Sequence, residues 1–256
     1  MVLLVATVAA CGGGGGGAGA GDDSAAPVQA DDPGTTTTSV APVADDPLVP
    51  SDENLTRVAQ AKVPQVAVYA EPDDAGAPIH RLASPTESGS PLVFTIDGDA
   101  TGPWLKVNLP VRPNGSQGYI RSADVQLGST DYSVKVELGA HRLTVTKGTE
   151  VVVDTPIGVG TAETPTPGGV YYLKELLEPP DPNGAYGPYA YGLSGFSNNP
   201  ELANFNGGDG IIGIHGTNQP DKIGSDVSHG CIRVSNEVIT EMAASLPLGT
   251  PVEIVA

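Results

Sequence analysis

From Asp131 onward apolar and polar positions alternate. Val134, Val136 and Leu138 share one face of a two-residue period, Leu143 and Val145 resume it after Gly139-Ala140, and Val151 and Val153 resume it after Lys147-Gly148. Period two with turn residues between the runs predicts a three-strand meander. Ile211-Ile212-Gly213-Ile214 reads as a buried strand and Val252-Glu253-Ile254-Val255 as a closing one. Helical spacing is clear once, at Val238, Ile239, Met242, Ala243 and Leu246; Ser235 or Asn236 can cap its start and Pro247 ends it. The Pro-, Gly- and Tyr-rich stretch from Thr164 to Gly208 carries few periodic signals. It is too long for an idle connection and is predicted to be a functional loop.

Upstream, from 58 to 128, the apolar runs are shorter. Val66–Tyr69, Leu92–Ile96, Trp104–Val107 and Gly118–Arg121 alternate with Pro72-Asp73-Asp74, Asp97-Gly98-Asp99 and Pro113-Asn114-Gly115. Short β-prone runs separated by turn chemistry predict a small β-barrel. The order Val-x-Val-Tyr, Trp-Leu-Lys-Val, Gly-Tyr-Ile-Arg resembles a bacterial Src-homology-3-like domain. Trp104 fits either a core position or a ligand groove.

Before residue 58 the periodicity is lost. Residues 12–57 run through six glycines (Gly12–Gly17), four threonines (Thr35–Thr38) and scattered Asp and Pro, with apolar content mostly Ala and Val. Such a segment buries too little surface to offset its ordering entropy, which predicts a disordered tether. Residues 1–11 hold an apolar run, Val2–Ala10, that is too short to span a bilayer but suits the core of a signal peptide. Val8-Ala9-Ala10-Cys11 resembles a bacterial lipobox, which implies lipidation of Cys11 and a membrane anchor; no Lys or Arg precedes the apolar run.

Charge narrows the partners. The chain has 256 residues and a net charge of −18, from 12 Lys and Arg against 30 Asp and Glu. A chain this acidic is a poor ligand for a phosphate backbone, so no nucleic acid is expected.

The chemistry gathers around the second of the two cysteines. The stretch runs Ile214-His215-Gly216-Thr217, then Ser228-His229-Gly230-Cys231-Ile232-Arg233-Val234-Ser235-Asn236. With Cys11 lipidated, Cys231 has no intramolecular partner: it is either a buried small hydrophobe or a nucleophile. A free thiol is only a few per cent ionised at neutral pH, so a nucleophile needs a base within reach, and His215 and His229 bracket the loop leading to it. Gly230 lets the backbone approach a developing oxyanion. Two His and one Cys fall short of the four ligands of a closed zinc site, so no metal is expected. His141, beside Arg142, reads as a solvated strand position, and His80 has no partner in sequence.

This constellation resembles the YkuD-type L,D-transpeptidases of bacterial cell walls, whose signature is a His followed by [Ser/Thr]-His-Gly-Cys. The offset of 16 from His215 to Cys231, the trailing Ile-Arg-Val-x-Asn and the run Thr164-Pro165-Thr166-Pro167-Gly168-Gly169-Val170-Tyr171 all fit. The resemblance covers 131–256; with the lipobox and the leading small barrel it extends to actinobacterial lipoproteins. It implies a mostly β chain: a small β-barrel, then a YkuD-like β-sandwich catalytic domain with one clear helix. It implies Cys231 as nucleophile, His215 as general base and acid, and His229 as a residue that shapes the site. The N–H groups of Gly230 and Cys231 would form the oxyanion hole. Arg233, Ser228, Asn218 and Tyr191, with Tyr189, would contact substrate, Arg233 either pairing a substrate carboxylate or forming a structural ion pair.

The reaction so implied is acyl transfer without a cofactor. Cys231 takes the acyl group of the third residue of a peptidoglycan stem tetrapeptide and passes it to an amine, giving a 3→3 cross-link, with carbapenem β-lactams as inhibitors. The location is extracytoplasmic, lipid-anchored and facing the wall. Hydrolysis of the thioester, as in an L,D-carboxypeptidase, and a non-catalytic wall-binding lipoprotein are the alternatives.

Overall fold

The computed structural model describes residues 55–199 and 210–256. The signal peptide, Cys11 and all but the last residues of the tether read over 12–57 lie outside them. Thr56 and Arg57, assigned to that tether, are instead strand: β1 (Thr56–Ala61) pairs along its whole length, from Thr56 opposite Thr130 to Ala61 opposite Val125. The reason is the partner, which runs two residues past the 128 boundary and gives the start of β1 a ladder.

The N-terminal unit continues through β2 (Gln65–Val68), β3 (His80–Ala83), β4 (Val93–Thr95), β5 (Trp104–Asn108), β6 (Gln117–Arg121) and β7 (Val125–Thr130). Ladders β4-β1-β7, β2-β3 and β5-β6 are joined by single bridges, Ile96–Val107 and Tyr69–Tyr119. Ala59, Val66, Val68, Phe94, Leu105, Val107 and Ile120 fill its core, each fully buried. Trp104 is half-buried, edge-on to Tyr69 at 5.2 Å, with the Arg121 guanidinium 5.1 Å above its ring.

The C-terminal unit has β8 (Tyr132–Glu137), β9 (Arg142–Lys147), β10 (Glu150–Pro156), β11 (Val159–Gly160), β12 (Gly169–Leu177), β13 (Ala190–Phe196), β14 (Ile211–His215), β15 (Asp226–Ser228), β16 (Ile232–Arg233), the helix α1 (Asn236–Ser245) and β17 (Pro251–Val255). The meander β8-β9-β10 forms as its alternation predicts. Eight strands then make one sheet in the order β10-β9-β8-β17-β12-β13-β14-β16. The chain is mostly β, with one α-helix among the described residues.

Two of these strands, β12 and β13, lie in the stretch read as a loop. Their periodicity is hidden for local reasons. β12 carries a bulge at Lys174, since Leu173 faces Leu193 while Glu175 faces Gly192, and an inserted residue breaks alternation. β13 is buried at every position and interrupted by glycines at 192 and 195, so no polar face marks its period. His141 also differs from its expected place. It sits in the β8–β9 turn with φ of 49°, and its Nε2 lies 2.8 Å from Asp226 Oδ1.

The helix packs Ile239, Met242 and Leu246 against Ile214, Tyr191 and Ile232 in one core. Ser235 caps it, its Oγ accepting from the Val238 N–H. The two units meet over Val58, Val93 and Tyr172. Tyr172 donates its hydroxyl to the Val93 carbonyl at 3.1 Å, and Asn114 makes a two-way pair with the Phe196 backbone at 2.8 and 2.9 Å.

Candidate active site

Strand register builds the site. β14 and β16 run parallel with Ile214 opposite Ile232 and His215 opposite Arg233. Both isoleucines are fully buried in the core. Side chains alternate faces along a strand and agree across a ladder. His215 and Arg233 therefore project from the other face, and so do Gly213 and Cys231, two residues earlier on each strand. Thiol and imidazole thus share a face because two β-strands pair in this register.

His215 is 4% exposed, and its Nδ1 lies 2.6 Å from the Gly216 carbonyl oxygen. A carbonyl only accepts, so Nδ1 carries the proton and Nε2 is left as the basic nitrogen. Burial lowers the imidazole pKa to about 4; the Gly216 carbonyl opposes this and the charge on Arg233 adds to it. Burial pushes the Cys231 thiol up, against the Gly213 N–H and Arg233, both of which favour the thiolate. Both shifts favour the uncharged forms. The resting pair at neutral pH is therefore a neutral thiol beside a neutral imidazole.

The loop that carries Cys231 is held from within and without. Ser228 Oγ donates to the Cys231 carbonyl at 2.5 Å and accepts the Gly230 N–H at 3.1 Å. Gly230 has φ of 115°, a conformation that favours glycine. Thr164 Oγ1 and the Thr161 N–H both donate to the Ser228 carbonyl at 3.1 Å, which is the structural part played by the Thr-Pro-Thr-Pro-Gly-Gly run.

Several expected contacts change in consequence. The Gly230 N–H is engaged by Ser228 and so is not free for an oxyanion. Ser228 is buried, with its hydroxyl bound to its own loop rather than facing substrate. Tyr191 is no loop residue: it is 1% exposed on β13 and its hydroxyl lies 3.0 and 2.9 Å from the Met242 and Leu246 carbonyls, tying the sheet to the end of α1. Its aromatic ring is drawn to the core because position 191 faces Ile214. Asn218 and His229 are exposed, and Tyr189 is partly buried against the core. Arg233 pairs with no acid among the described residues; Nη1 donates to Gln219 at 3.2 Å, and Nε is buried without a partner.

Two residues emerge that the sequence did not single out. The Tyr186 ring lies 4.8 Å from the His215 ring and covers it, while remaining half-exposed itself. Gly187 makes this possible: at φ of 66° it packs so close that a Cβ would meet Asn236 Oδ1 and fall 2.7 Å from Gly216 Cα. Asn236 in turn accepts the Thr217 N–H at 2.8 Å, fixing the segment that follows His215 to the first turn of α1. The only prior signal was the Asn-Gly-Ala-Tyr-Gly turn chemistry.

A thiol and an imidazole on one sheet face can form an acyl-thioester and hand it on. Residues 131–254 match the family model of the L,D-transpeptidase catalytic domain, YkuD. The YkuD protein of Bacillus subtilis strain 168 is 37% identical over 123 residues, 48% of this chain and 65% of the relative. That of Bacillus licheniformis is 35% identical over 123 residues, with the same shares. The match thus spans 65% of the length of either relative. Among solved structures, an L,D-transpeptidase from Mycobacterium smegmatis is 18% identical, with 64% of this chain and 82% of that chain covered and a TM-score of 0.41. Residues 131–254 of this chain are thus similar to the YkuD L,D-transpeptidase catalytic domain.

Proposed function

We propose that the protein is a cysteine-dependent L,D-transpeptidase that forms 3→3 cross-links between peptidoglycan stems. The observation that carries the reading is the shared face of Cys231 and His215, with His215 Nδ1 held by the Gly216 carbonyl so that Nε2 is the base. Cys231 Sγ attacks the carbonyl of the third stem residue while its proton passes to Nε2. A neutral pair suits this concerted transfer, because no buried ion pair must be maintained between turnovers. With the Gly230 N–H engaged, the Cys231 N–H is the loop's donor to the oxyanion. Collapse expels D-Ala, whose amine takes the proton from Nε2 and leaves a thioester. An amine of a neighbouring stem then gives its proton to Nε2 and attacks the thioester. The departing sulfur recovers that proton.

The unpartnered Arg233 Nε supports a substrate carboxylate as its ligand, since buried donors are rarely left unmet. Arg233 Nη1 donates to Gln219 at 3.2 Å, and the charge of the guanidinium is felt by both Cys231 and His215. An activated thiol facing a strained lactam carbonyl also accounts for carbapenems as inhibitors. The reading extends to the unit over 58–128 as a Src-homology-3-like domain and to an extracytoplasmic, lipid-anchored location through Cys11. It is supported there by the strand order of that unit and by the Val-Ala-Ala-Cys run.

Mass spectrometry of tetrapeptide muropeptides incubated with the protein tests the reaction. Cross-linked dimers with released D-Ala are expected. Tripeptides alone mean hydrolysis, and unchanged substrate overturns the enzyme reading.

A further inference from the structure

β15, the strand that leads to Cys231, begins at a side-chain pair that the reaction does not use. His141 closes the β8–β9 turn, its N–H donating to the Leu138 carbonyl at 3.1 Å. With φ of 49° it is the one non-glycine residue in the left-handed region among the described residues. That region is costly for a residue with a Cβ and suits glycine, so the turn alone gives no reason for an imidazole. The ring does: its Nε2 lies 2.8 Å from Oδ1 of Asp226, 85 residues away. Backbone strain of this kind persists where the surroundings hold it, and it gathers at sites that use it.

The surroundings hold His141 twice. Turned left-handed, its carbonyl accepts the Ile157 N–H at 2.9 Å. Residues 157–160 then act as a splint. On one side the Ile157 carbonyl accepts the Gly224 N–H, the Val159 N–H donates to the Ser225 carbonyl, and β11 pairs with β15, Gly160 opposite Ser228. On the other, Gly158 and Arg233 exchange two backbone hydrogen bonds at 2.8 Å. The strands on either side of Cys231, β15 and β16, are thus both bonded to the splint. β11 and β15 form a ladder of their own, outside the eight-stranded sheet. The β8–β9 turn belongs to that sheet, and His141 ties it to the splint by its carbonyl and to β15 by its ring. β15 ends at Ser228, whose hydroxyl holds both the Cys231 carbonyl and the Gly230 N–H.

We infer that the His141–Asp226 pair is a clasp that positions Cys231: it pins β15 to the main sheet and so fixes the loop that presents the thiol. His141 acts through Asp226 and Ser228 rather than on the reacting atoms, and is a positioning residue. The inference rests on the transpeptidase reading for the reaction it serves, and on the hydrogen-bonded path alone for the loop it holds. A neutral imidazole with its proton on Nε2 can donate to the carboxylate, and a charged one does so more strongly. With the clasp open, β15 keeps its short ladder to β11 but loses its tie to the larger sheet, and the turn at Ser228 opens locally more often.

The test compares variants of the full chain. His141→Gly suits the left-handed turn and keeps its backbone bonds, so relief of strain offsets the lost pair and the thermal midpoint should hold. Exchange of the Gly230 amide hydrogen, followed by NMR, should nonetheless quicken about threefold, and kcat for D-Ala release should fall by about the same factor at unchanged KM. Asp226→Ala should do the same, and the double variant no more than either. Asp226→Asn, which keeps an oxygen in place, should stay near the parent in both. Parent-like exchange or a parent-like kcat in His141→Gly overturns the clasp. So do single effects that multiply in the double variant, and so does a midpoint that falls along with the rate, which would make the pair merely structural. Exchange needs no substrate, which keeps the two readings apart. Faster exchange in His141→Gly with no D-Ala release by the parent keeps the clasp and sinks the reaction. D-Ala release by the parent with parent-like exchange in His141→Gly does the reverse.

Discussion

His215 is where burial and chemistry conflict most openly. Its folded pKa of about 4 lies below the ordinary 6.5 because the charged ring is desolvated. The unfolded chain therefore binds more protons than the folded one between those values. The stability tied to keeping the ring neutral is fully present above pH 6.5 and is lost as pH falls toward 4. The full effect is roughly 3 kcal/mol, since each tenfold change in proton affinity is worth about 1.4 kcal/mol. Denaturant unfolding of the parent and of His215→Gln across pH 4–7 checks it: the parent should lose that stability relative to the variant as pH falls. A parallel pair of curves would mean the ring protonates freely. The same residue sets the reactivity of Cys231. With the thiol raised and the imidazole neutral, alkylation by iodoacetamide should climb only above the ordinary thiol range near pH ~8.5, without a plateau in mild acid. His215→Ala should lower turnover by ~10²–10⁴.

At the scale of elements, the site depends on how the start of α1 holds the end of β14. Ser235 and Asn236 are neighbours with different tasks. Ser235 Oγ receives the Val238 N–H and serves the helix, while Asn236 Oδ1 receives the Thr217 N–H and serves the segment after His215. Ser235→Ala and Asn236→Ala should each cost about 1 kcal/mol in unfolding free energy. Only Asn236→Ala should also lower kcat, by about tenfold or more, because it releases the backbone whose Gly216 carbonyl fixes the His215 tautomer. Equal kcat in the two variants would mean that β14 alone positions the imidazole.

For the molecule as a whole, the leading small unit is bound to the catalytic one by more than a linker. Tyr172 is fully buried on β12, and its hydroxyl reaches the Val93 carbonyl in β4. Gly249 packs against Val58, and Arg112 lies 4.6 Å above the Phe196 ring. An apolar contact with hydrogen bonds on its rim couples the two units. Calorimetry of residues 55–256 should show a single transition. Tyr172→Phe should lower stability by about 1 kcal/mol, the worth of one hydrogen bond, and keep it single. Tyr172→Ala removes a core aromatic ring at about 3–5 kcal/mol and should split the transition in two. A single transition in Tyr172→Ala would show that the units are joined elsewhere.

Much of this was legible in the residues themselves. The meander, the strand before His215, the Ser235-capped helix and the closing strand follow from periods of two and 3.6, which depend on near neighbours alone. So does the nearness of the Cys231 thiol to the His215 imidazole, because the motif keeps them 16 residues apart. What the sequence could not decide depends on contacts between distant segments. β12 and β13 are masked by a bulge and by glycines whose meaning appears only when a carboxylate or a tyrosine ring lies over them. Tyr191 and Ser228 read as site residues until register turned one into the core and a hydrogen bond closed the other on its own loop. Tyr186 reaches His215 only because Gly187 lets two loops nearly touch. Local pattern sets which face of each strand is apolar. Which strands lie side by side, and hence which polar residues share a face, was settled by the packed sheet, because register is a long-range property that no window of sequence contains.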